Sequence, residues 1–274
     1  MIIDAHTHLF PEAVLQDRDS FLDDPSFKQL YSDKKSQIAD ISSLNSYLTN
    51  SFTKKVAALG FCWQSEKRCT KHNNFFLKKV SDHIIPFASI PSKPFKNIEK
   101  FIREIANSGF KGVGELAFYN SRFSTNLWSY IERVFAACEE NGLVLYIHLN
   151  DPVGHVYNGK YTTPFDKLYD LIKTHNQLKL VLSHFGGGII FYEQMPEVKE
   201  VFKNIMYDCA AQPFLYSPDI YKNTVNIAGS KKILFGTDYP LLKEERYIST
   251  IKENLKPEDY NNILSNNFLR LINS

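Results

Sequence analysis

The feature that most constrains the fold is a regular alternation of short apolar segments with longer segments of helical pattern. Eight apolar segments rich in β-branched and aromatic residues occur at 1–8, 55–62, 84–90, 112–118, 143–149, 178–183, 204–209 and 232–236. Several are nearly continuous apolar runs, which is typical of parallel strands covered on both faces. An eightfold alternation over 274 residues predicts an α/β fold, a single (β/α)8 TIM barrel forming one domain over 1–274. An open sheet is the alternative.

The segments between the predicted strands have apolar residues at helical spacing. Helices are predicted at 37–48, 71–83, 94–105, 127–138, 164–175, 193–203, 218–228, 244–255 and 257–272. In the segment 71–83, we expect Phe75, Phe76, Leu77 and Val80 to face inward. Residues 9–36 look irregular, and a loop of that length usually has a function such as covering a site.

Histidines and acids stand at the ends of five predicted strands. In a barrel of this kind the carboxyl ends of the strands form one face, where the active site lies. His6 and His8 also point the same way, because side chains two residues apart in a strand share a face. Imidazole and carboxylate groups are common ligands of catalytic divalent ions. We therefore predict a metal site built from His6, His8, Glu115, His148, His184 and Asp238.

The two carboxylates in this set could instead have a structural role. A helix N-terminus or a buried salt bridge would also satisfy the Glu115 carboxylate, which is costly to bury alone. Asp238 could stabilise the turn before Pro240, since Asp is common in turns. Asp4 is expected to orient the neighbouring ligands.

The remaining histidines and the cysteines give weaker signals. His72, His83 and His175 are expected at the surface, near helix ends. The four cysteines lack CxxC spacing and are predicted to be ordinary reduced thiols.

The predicted ligands suggest a hydrolytic mechanism. A bound divalent ion lowers the pKa of water from about 15.7 toward about 7, which corresponds to about 12 kcal/mol of proton-loss free energy. Asp238 would accept the proton of that water and pass it to the leaving group. His184 would either bind a second ion or assist in proton transfer. In both cases Asp238 and His184 are the predicted catalytic residues.

Charge and hydropathy limit the partners. The formal net charge of +2 gives no reason to expect nucleic acid, and no run approaches the roughly twenty apolar residues that span a bilayer. No secretory signal is visible at the N-terminus, so we expect a cytoplasmic protein. We expect a small-molecule substrate and no membrane partner, and allow for a homodimer. Within the loop 150–163, His155, Tyr157 and Lys160 are predicted to contact the substrate.

Several motifs together resemble the amidohydrolase superfamily. They are DAHTH at 4–8, GVGE at 112–115, IHLN at 147–150, LSHFGGG at 182–188 and FGTDYP at 235–240. The combination is similar to the amidohydrolase-related branch, which includes the aminocarboxymuconate-semialdehyde decarboxylase group and uncharacterised TIM-barrel metal-dependent hydrolases. The resemblance implies a distorted barrel and one or two divalent ions, commonly zinc, on the residues matching His6, His8, His148 and Asp238. It also implies hydrolysis in most members, and decarboxylation or hydration in some.

Four functions remain open from the sequence. The first is hydrolysis of a small polar carbonyl compound such as an amide, ester or lactone. The second is nonoxidative decarboxylation or hydration of an unsaturated or aromatic carboxylic acid. A phosphodiesterase comes third, because the chain lacks a basic excess, and a binding protein without catalysis comes last.

Overall fold

A computed structural model describes residues 1–79, 81–119 and 121–273. Eight strands form one parallel sheet in the order β1 to β8. The strands are β1 (Ile2–His8), β2 (Thr53–Leu59), β3 (Ile84–Ala88), β4 (Gly112–Leu116), β5 (Val144–Ile147), β6 (Leu180–Leu182), β7 (Ile205–Asp208) and β8 (Ile233–Leu234). The chain after β8 returns to β1, because the His8 amide donates to the Tyr239 carbonyl over 2.7 Å and the Asp238 amide to the His6 carbonyl over 3.0 Å. The predicted (β/α)8 barrel is confirmed.

Helices connect the strands on the outside of the barrel. The longer ones are Ile41–Asn50, Glu66–Leu77, Ile98–Asn107, Thr125–Glu140, Phe165–Thr174 and Ile220–Ala228. Shorter ones are Glu12–Gln16, Pro25–Tyr31, Pro196–Val201, Gln212–Leu215, Ile248–Asn254, Pro257–Asn261 and Asn267–Asn273. Thr125–Glu140 buries the stripe that its spacing predicts, including Leu127, Ile131 and Val134.

Two apolar layers stabilise the barrel. The larger layer lies between the strands and the surrounding helices, and the smaller one fills the barrel interior. Ile3, Ala57, Leu59 and Phe87 belong to the interior layer. Phe268 of the last helix packs against this layer, with ring centroids of Phe268 and Phe87 6.4 Å apart. The interior is therefore packed side chains, which leaves the carboxyl ends of the strands as the place for a site.

The segment 9–36 is more regular than predicted. It contains the helices Glu12–Gln16 and Pro25–Tyr31 and a single 3-10 turn between them. Asp24 caps the second helix, because its carboxylate accepts hydrogen bonds from the amides of Ser26 and Phe27. The expectation of an irregular loop was wrong because this Asp-Pro helix start was not recognised.

Helix and strand limits also differ from those predicted. The helix predicted at 71–83 is Glu66–Leu77, and Leu77 is 41% exposed rather than turned inward. Val80 lies outside the described residues. The helix predicted from residue 94 begins at Ile98. β8 has only two residues, since the chain beyond it leaves the β7 ladder to follow β1.

His72 is buried, contrary to the expectation of a surface residue. It is 1% exposed, its Nε2 lies 2.8 Å from the Leu9 carbonyl, and the Trp63 indole donates to its Nδ1 over 3.1 Å. Burial lowers the pKa of His72 to about 4, although the hydrogen bond to Leu9 acts in the opposite direction. The neutral ring thus fixes the chain where it leaves β1.

Two further features concern the rest of the chain. Among the described residues, no helix combines the length and apolar character needed to cross a bilayer. All four cysteines are buried and free.

Candidate metal centre

Two neighbouring strand ends place three donors within reach of one ion. His6 and His8 end β1, and Asp238 follows β8. The Nε2 atoms of the two histidines are 3.2 Å apart. Asp238 Oδ1 lies 3.6 Å from His6 Nε2 and 3.1 Å from His8 Nε2. These three donors form one candidate ligand group.

A second group of three donors adjoins the first. His148 Nδ1 lies 3.1 Å from Glu115 Oε1 and 3.1 Å from His184 Nε2. Glu115 also reaches the first group, with Oε1 3.7 Å from His6 Nε2 and Oε2 3.9 Å from His8 Nε2. The structure therefore brings all six predicted ligands together, with Glu115 between the two groups.

The donor spacing and the hydrogen bonds of the histidines fit a divalent cation. Donors about 2.1 Å from one tetrahedral ion lie about 3.4 Å from each other, close to the separations found here. The outer nitrogen of three rings has an oxygen partner: Asp208 Oδ2 at 2.9 Å for His6, the Ala210 carbonyl at 2.9 Å for His184 and Asn150 Oδ1 at 3.2 Å for His148. Those oxygens take the ring N–H, so the lone pair of each inner nitrogen faces the centre.

Asp208 is the site residue that the sequence analysis missed. It is fully buried at the end of β7, where Oδ2 contacts the His6 ring. Its Oδ1 accepts hydrogen bonds from the amides of His184, over 2.9 Å, and Ala210, over 3.1 Å. An acid at the end of a buried strand was the available signal, and it is the same signal that identified Glu115 and Asp238.

Asp4 acts on the backbone rather than on the rings. Its Oδ1 accepts hydrogen bonds from the amides of His6, over 3.1 Å, and Thr237, over 3.0 Å. Its Oδ2 accepts from the Thr237 hydroxyl over 2.6 Å and from Tyr47 over 3.2 Å. Asp4 therefore joins the two chain segments that carry His6, His8 and Asp238.

Two of the six donors stand on residues with left-handed backbone. His184 has φ 59° and Asp238 has φ 63°, a conformation that costs energy for residues other than glycine. Hydrogen bonds hold both in place, because the His184 amide binds Asp208 and the Asp238 amide binds the His6 carbonyl. The backbone thus turns these two side chains toward the centre at the cost of local strain.

The carboxylates give the centre a negative potential. Burial alone would lower the pKa of His6, but Asp208, Glu115 and Asp238 outweigh burial and raise it to about 10. Burial opposes ionisation of Glu115, yet the neighbouring histidines, His148 foremost, hold its pKa well below the usual value. Burial also opposes ionisation of Asp238, but His8 and His6 lower its pKa. Such a centre favours a bound cation.

A cavity of about 440 Å³ opens onto the centre. Its walls are largely aromatic and apolar, and include Leu30, Tyr31, Tyr119, Tyr157, Phe214 and Leu241. His155 and Tyr157, which were predicted to contact substrate, line it. Lys160 does not, because its ammonium group donates to the carbonyls of Val153 and His155 within its own loop. No lysine or arginine occurs among the described residues that line this cavity.

Comparisons with known proteins agree with this architecture. A search of curated sequences found no significant match. The chain is similar to the solved structure of 5-carboxyvanillate decarboxylase from Sphingomonas paucimobilis, with 15% identity, a TM-score of 0.75 and coverage of 99% of this chain and 98% of the other. For 2,6-dihydroxybenzoate decarboxylase from Rhizobium, the identity is 15%, the TM-score 0.71 and the coverage 99% and 98%.

A third similar structure contains a metal. It is dihydroxybenzoic acid decarboxylase from Polaromonas sp. JS666, with bound manganese and 2-nitroresorcinol as an inhibitor. Its identity is 16%, its TM-score 0.70 and its coverage 99% of this chain and 96% of the other. At such identities the likeness establishes the fold.

The family model described as Amidohydrolase matches residues 3–272. Since that match spans nearly the whole chain, the chain belongs to the amidohydrolase family of metal-dependent enzymes.

Proposed function

We propose that the protein is a metal-dependent nonoxidative decarboxylase of aromatic carboxylic acids. The observation that carries the proposal is the aromatic cavity that is lined by five of the six donor residues, all except His6. We propose that the flat ring of the substrate packs against aromatic lining residues such as Tyr31, Tyr119 and Phe214, with its carboxylate toward the centre.

The similar structures support this ranking over hydrolysis. All three of these proteins are named as decarboxylases of aromatic acids. The sequence analysis placed hydrolysis of an amide, ester or lactone first, and we now place it second. Zinc was the expected ion, whereas manganese is bound in one of these proteins, so both ions are used in the experiment below.

The proposed reaction exchanges a carboxylate for a proton. The ring carbon gains a proton, the bond to the carboxylate breaks, carbon dioxide leaves and the electron pair of that bond remains on the ring. A bound divalent ion would hold the carboxylate or an adjacent oxygen and stabilise the negative charge that develops there. We propose that the donor group of His6, His8 and Asp238 would hold that ion, with His148 of the adjoining group as a further ligand.

Asp238 is the group we propose to carry the proton. Its carboxylate lines the cavity and its side chain is 17% exposed, so it contacts both the substrate space and solvent. Its pKa is lowered, so it is ionised at rest and becomes a strong acid once it takes up a proton. Donation to the ring carbon then returns Asp238 to its resting form.

His184 is suited to a neutral role beside the reacting carboxylate. Burial and the neighbouring His148 lower the pKa of His184, which keeps the ring uncharged near neutral pH. The hydrogen bond to the Ala210 carbonyl fixes the N–H on Nδ1 and leaves the Nε2 lone pair toward the centre. In that state His184 can bind the ion or accept a hydrogen bond from the substrate.

Hydrolysis is the second candidate, and Glu115 favours it. Its carboxylate lies between the two donor groups, within 3.9 Å of donors in both, as a carboxylate that bridges two ions would. Two ions held in this way are suited to activating water for attack on a carbonyl. Asp238 would then accept the proton of that water.

Product analysis with metal-loaded protein separates the two candidates. The protein, loaded in turn with Mn²⁺ and Zn²⁺, is incubated with hydroxylated benzoates and, separately, with a panel of amides, esters and lactones. The proposal predicts stoichiometric carbon dioxide and phenol from at least one benzoate, and none with Asp238→Asn. Turnover of carbonyl compounds alone, with all benzoates unchanged, would overturn it in favour of hydrolysis.

A further inference from the structure

A basic recess of about 350 Å³ adjoins the cavity, and the proposed reaction does not use it. The residues that line both spaces are Ser36, Gln37 and Pro240. Gln37 is exposed, and the other two are partly exposed. The boundary between the cavity and the recess is therefore a rim that solvent reaches, and a ligand in the cavity can extend across it.

The turn that carries two of the basic side chains is held by hydrogen bonds. The Arg18 guanidinium donates to the carbonyls of Asp33 and Ser36, over 3.0 and 2.9 Å. The Lys35 amide donates to the Asp33 carboxylate over 2.9 Å. Lys34 and Lys35 thus stand on a backbone that is already ordered, which reduces the cost of binding a ligand there.

The positive charges of the recess are not neutralised within the described chain. Arg18, Lys34 and Lys35 line it, and none of them forms an ion pair with a described carboxylate. Two acids close to them in sequence are engaged elsewhere, because Asp33 accepts the Lys35 amide and Asp40 caps the following helix. No acid occurs among the described residues that line the recess. An anion there would relieve the repulsion between the cations.

The cavity itself has the opposite character. Its described lining residues include the acids Glu115 and Asp238 but neither lysine nor arginine. A second anionic group placed directly on a ring in the cavity would lose hydration without gaining a cationic partner. The same group on an arm that crosses the rim would reach the lysines of the recess.

We propose that the substrate is an aromatic acid with a second anionic group at the end of an arm, and that the recess of Arg18, Lys34 and Lys35 binds this group. The proposal rests on the proposed function, because the carboxylate on the ring is the one that the metal centre receives. Lys34 and Lys35 donate to the anionic end. Arg18 is a positioning residue, since its guanidinium holds the turn.

Pairs of para-substituted benzoates test the proposal by equilibrium binding to the metal-loaded protein. In each pair an arm of two or of four methylene groups ends either in a carboxylate or in the primary amide of the same shape. For at least one arm length, the wild type should bind the carboxylate member about tenfold more tightly than the amide, and high salt should reduce this preference. Equal binding of both members at both lengths would overturn the proposal.

Two double variants with the same loss of charge locate the preference. Lys34→Gln with Lys35→Gln removes the two lysines of the recess. Lys54→Gln with Lys231→Gln removes two exposed lysines at the amino ends of β2 and β8, opposite the cavity. The first double variant should bind carboxylate and amide members alike, and the second should keep the wild-type preference. A preference that survives in the first, or is lost equally in both, would refute the role of the recess.

Product analysis keeps this proposal apart from the proposed reaction. Bound metal is measured in every variant, and carbon dioxide is measured for every benzoate of the series. A preference for the carboxylate-ended arm that Lys34 and Lys35 control, without carbon dioxide from any acid, would leave the recess standing and reject decarboxylation. Carbon dioxide release with no preference for the anionic arm would leave decarboxylation standing and reject the recess.

Discussion

Replacing Asp208 by asparagine should weaken metal binding without unfolding the protein. Asp208 is completely buried, and its two oxygens serve different partners. Oδ1 binds two backbone amides, whereas Oδ2 accepts the N–H of the His6 ring over 2.9 Å. Asparagine keeps the first set of hydrogen bonds and places an NH₂ group against the ring. His6 would then move its proton to Nε2, the atom that faces the metal centre.

The expected loss can be stated as a range. Removing the partner that orients a metal-binding histidine usually lowers metal affinity by about 10-fold to 100-fold, or about 1.4 to 2.7 kcal/mol. The loss should fall on affinity rather than on folding, since the backbone hydrogen bonds of His184 and Ala210 are retained. The assay is competition with a chromogenic chelator, accompanied by thermal unfolding of the metal-free protein.

A second buried carboxylate provides the control. Asp24 is 3% exposed and caps the helix Pro25–Tyr31, without contact to any of the six donors. Asp24→Asn should change stability but leave metal affinity within about twofold. The reasoning on Asp208 would be refuted by a folded Asp208→Asn protein that binds the ion as tightly as the wild type.

Two other predictions concern stability. Because the folded pKa of His72 is about 4 and the unfolded value 6.5, the unfolded chain binds more protons between these pH values, so stability falls by about 3 kcal/mol as the pH drops from 6.5 to 4. Urea unfolding across this range should show a smaller pH dependence for His72→Gln and an unchanged one for His83→Gln; an unaltered slope in His72→Gln would contradict the burial of a neutral ring. Gly187 has φ +57°, and a Cβ there would lie 2.6 Å from the Asn150 backbone, whereas Gly109 has φ +89° and open space. The free energy of unfolding should therefore be at least about 1 kcal/mol lower for Gly187→Ala than for Gly109→Ala. An equal loss of stability in the two variants would show that the contact with the Asn150 backbone does not constrain residue 187.

The sequence predicted the barrel because the strands carry their own signals. Apolar runs such as β5 and β7 are buried on both faces, and the stripe of Thr125–Glu140 has clear helical spacing. The ends of the strands were less predictable, since β8 ends after two residues where the chain pairs with β1. That departure depends on contacts between the two ends of the chain, which no local pattern encodes.

The six donors of the candidate site were predictable because a barrel brings the carboxyl ends of its strands together at one face. His6, Glu115 and His184 were found from their place after apolar runs, and the structure brings the Glu115 carboxylate to 3.7 Å from both histidine rings. Asp208 stands at the end of β7 by the same rule as Glu115 and Asp238 and was overlooked. His72 was expected at the surface because the helix was predicted to begin at residue 71, whereas it begins at Glu66 and His72 lies in its middle. Its burial depends on packing against the chain after β1.

Metal analysis of the purified protein tests the central claim, that separate strand ends bind one common divalent centre. Wild-type protein prepared without added metal should contain one or two equivalents of a divalent ion, measured by mass spectrometry. His6→Ala should lose at least one equivalent, while His83→Ala, which alters an exposed histidine, should retain the wild-type content. Full retention of metal by a folded His6→Ala protein would contradict the claim.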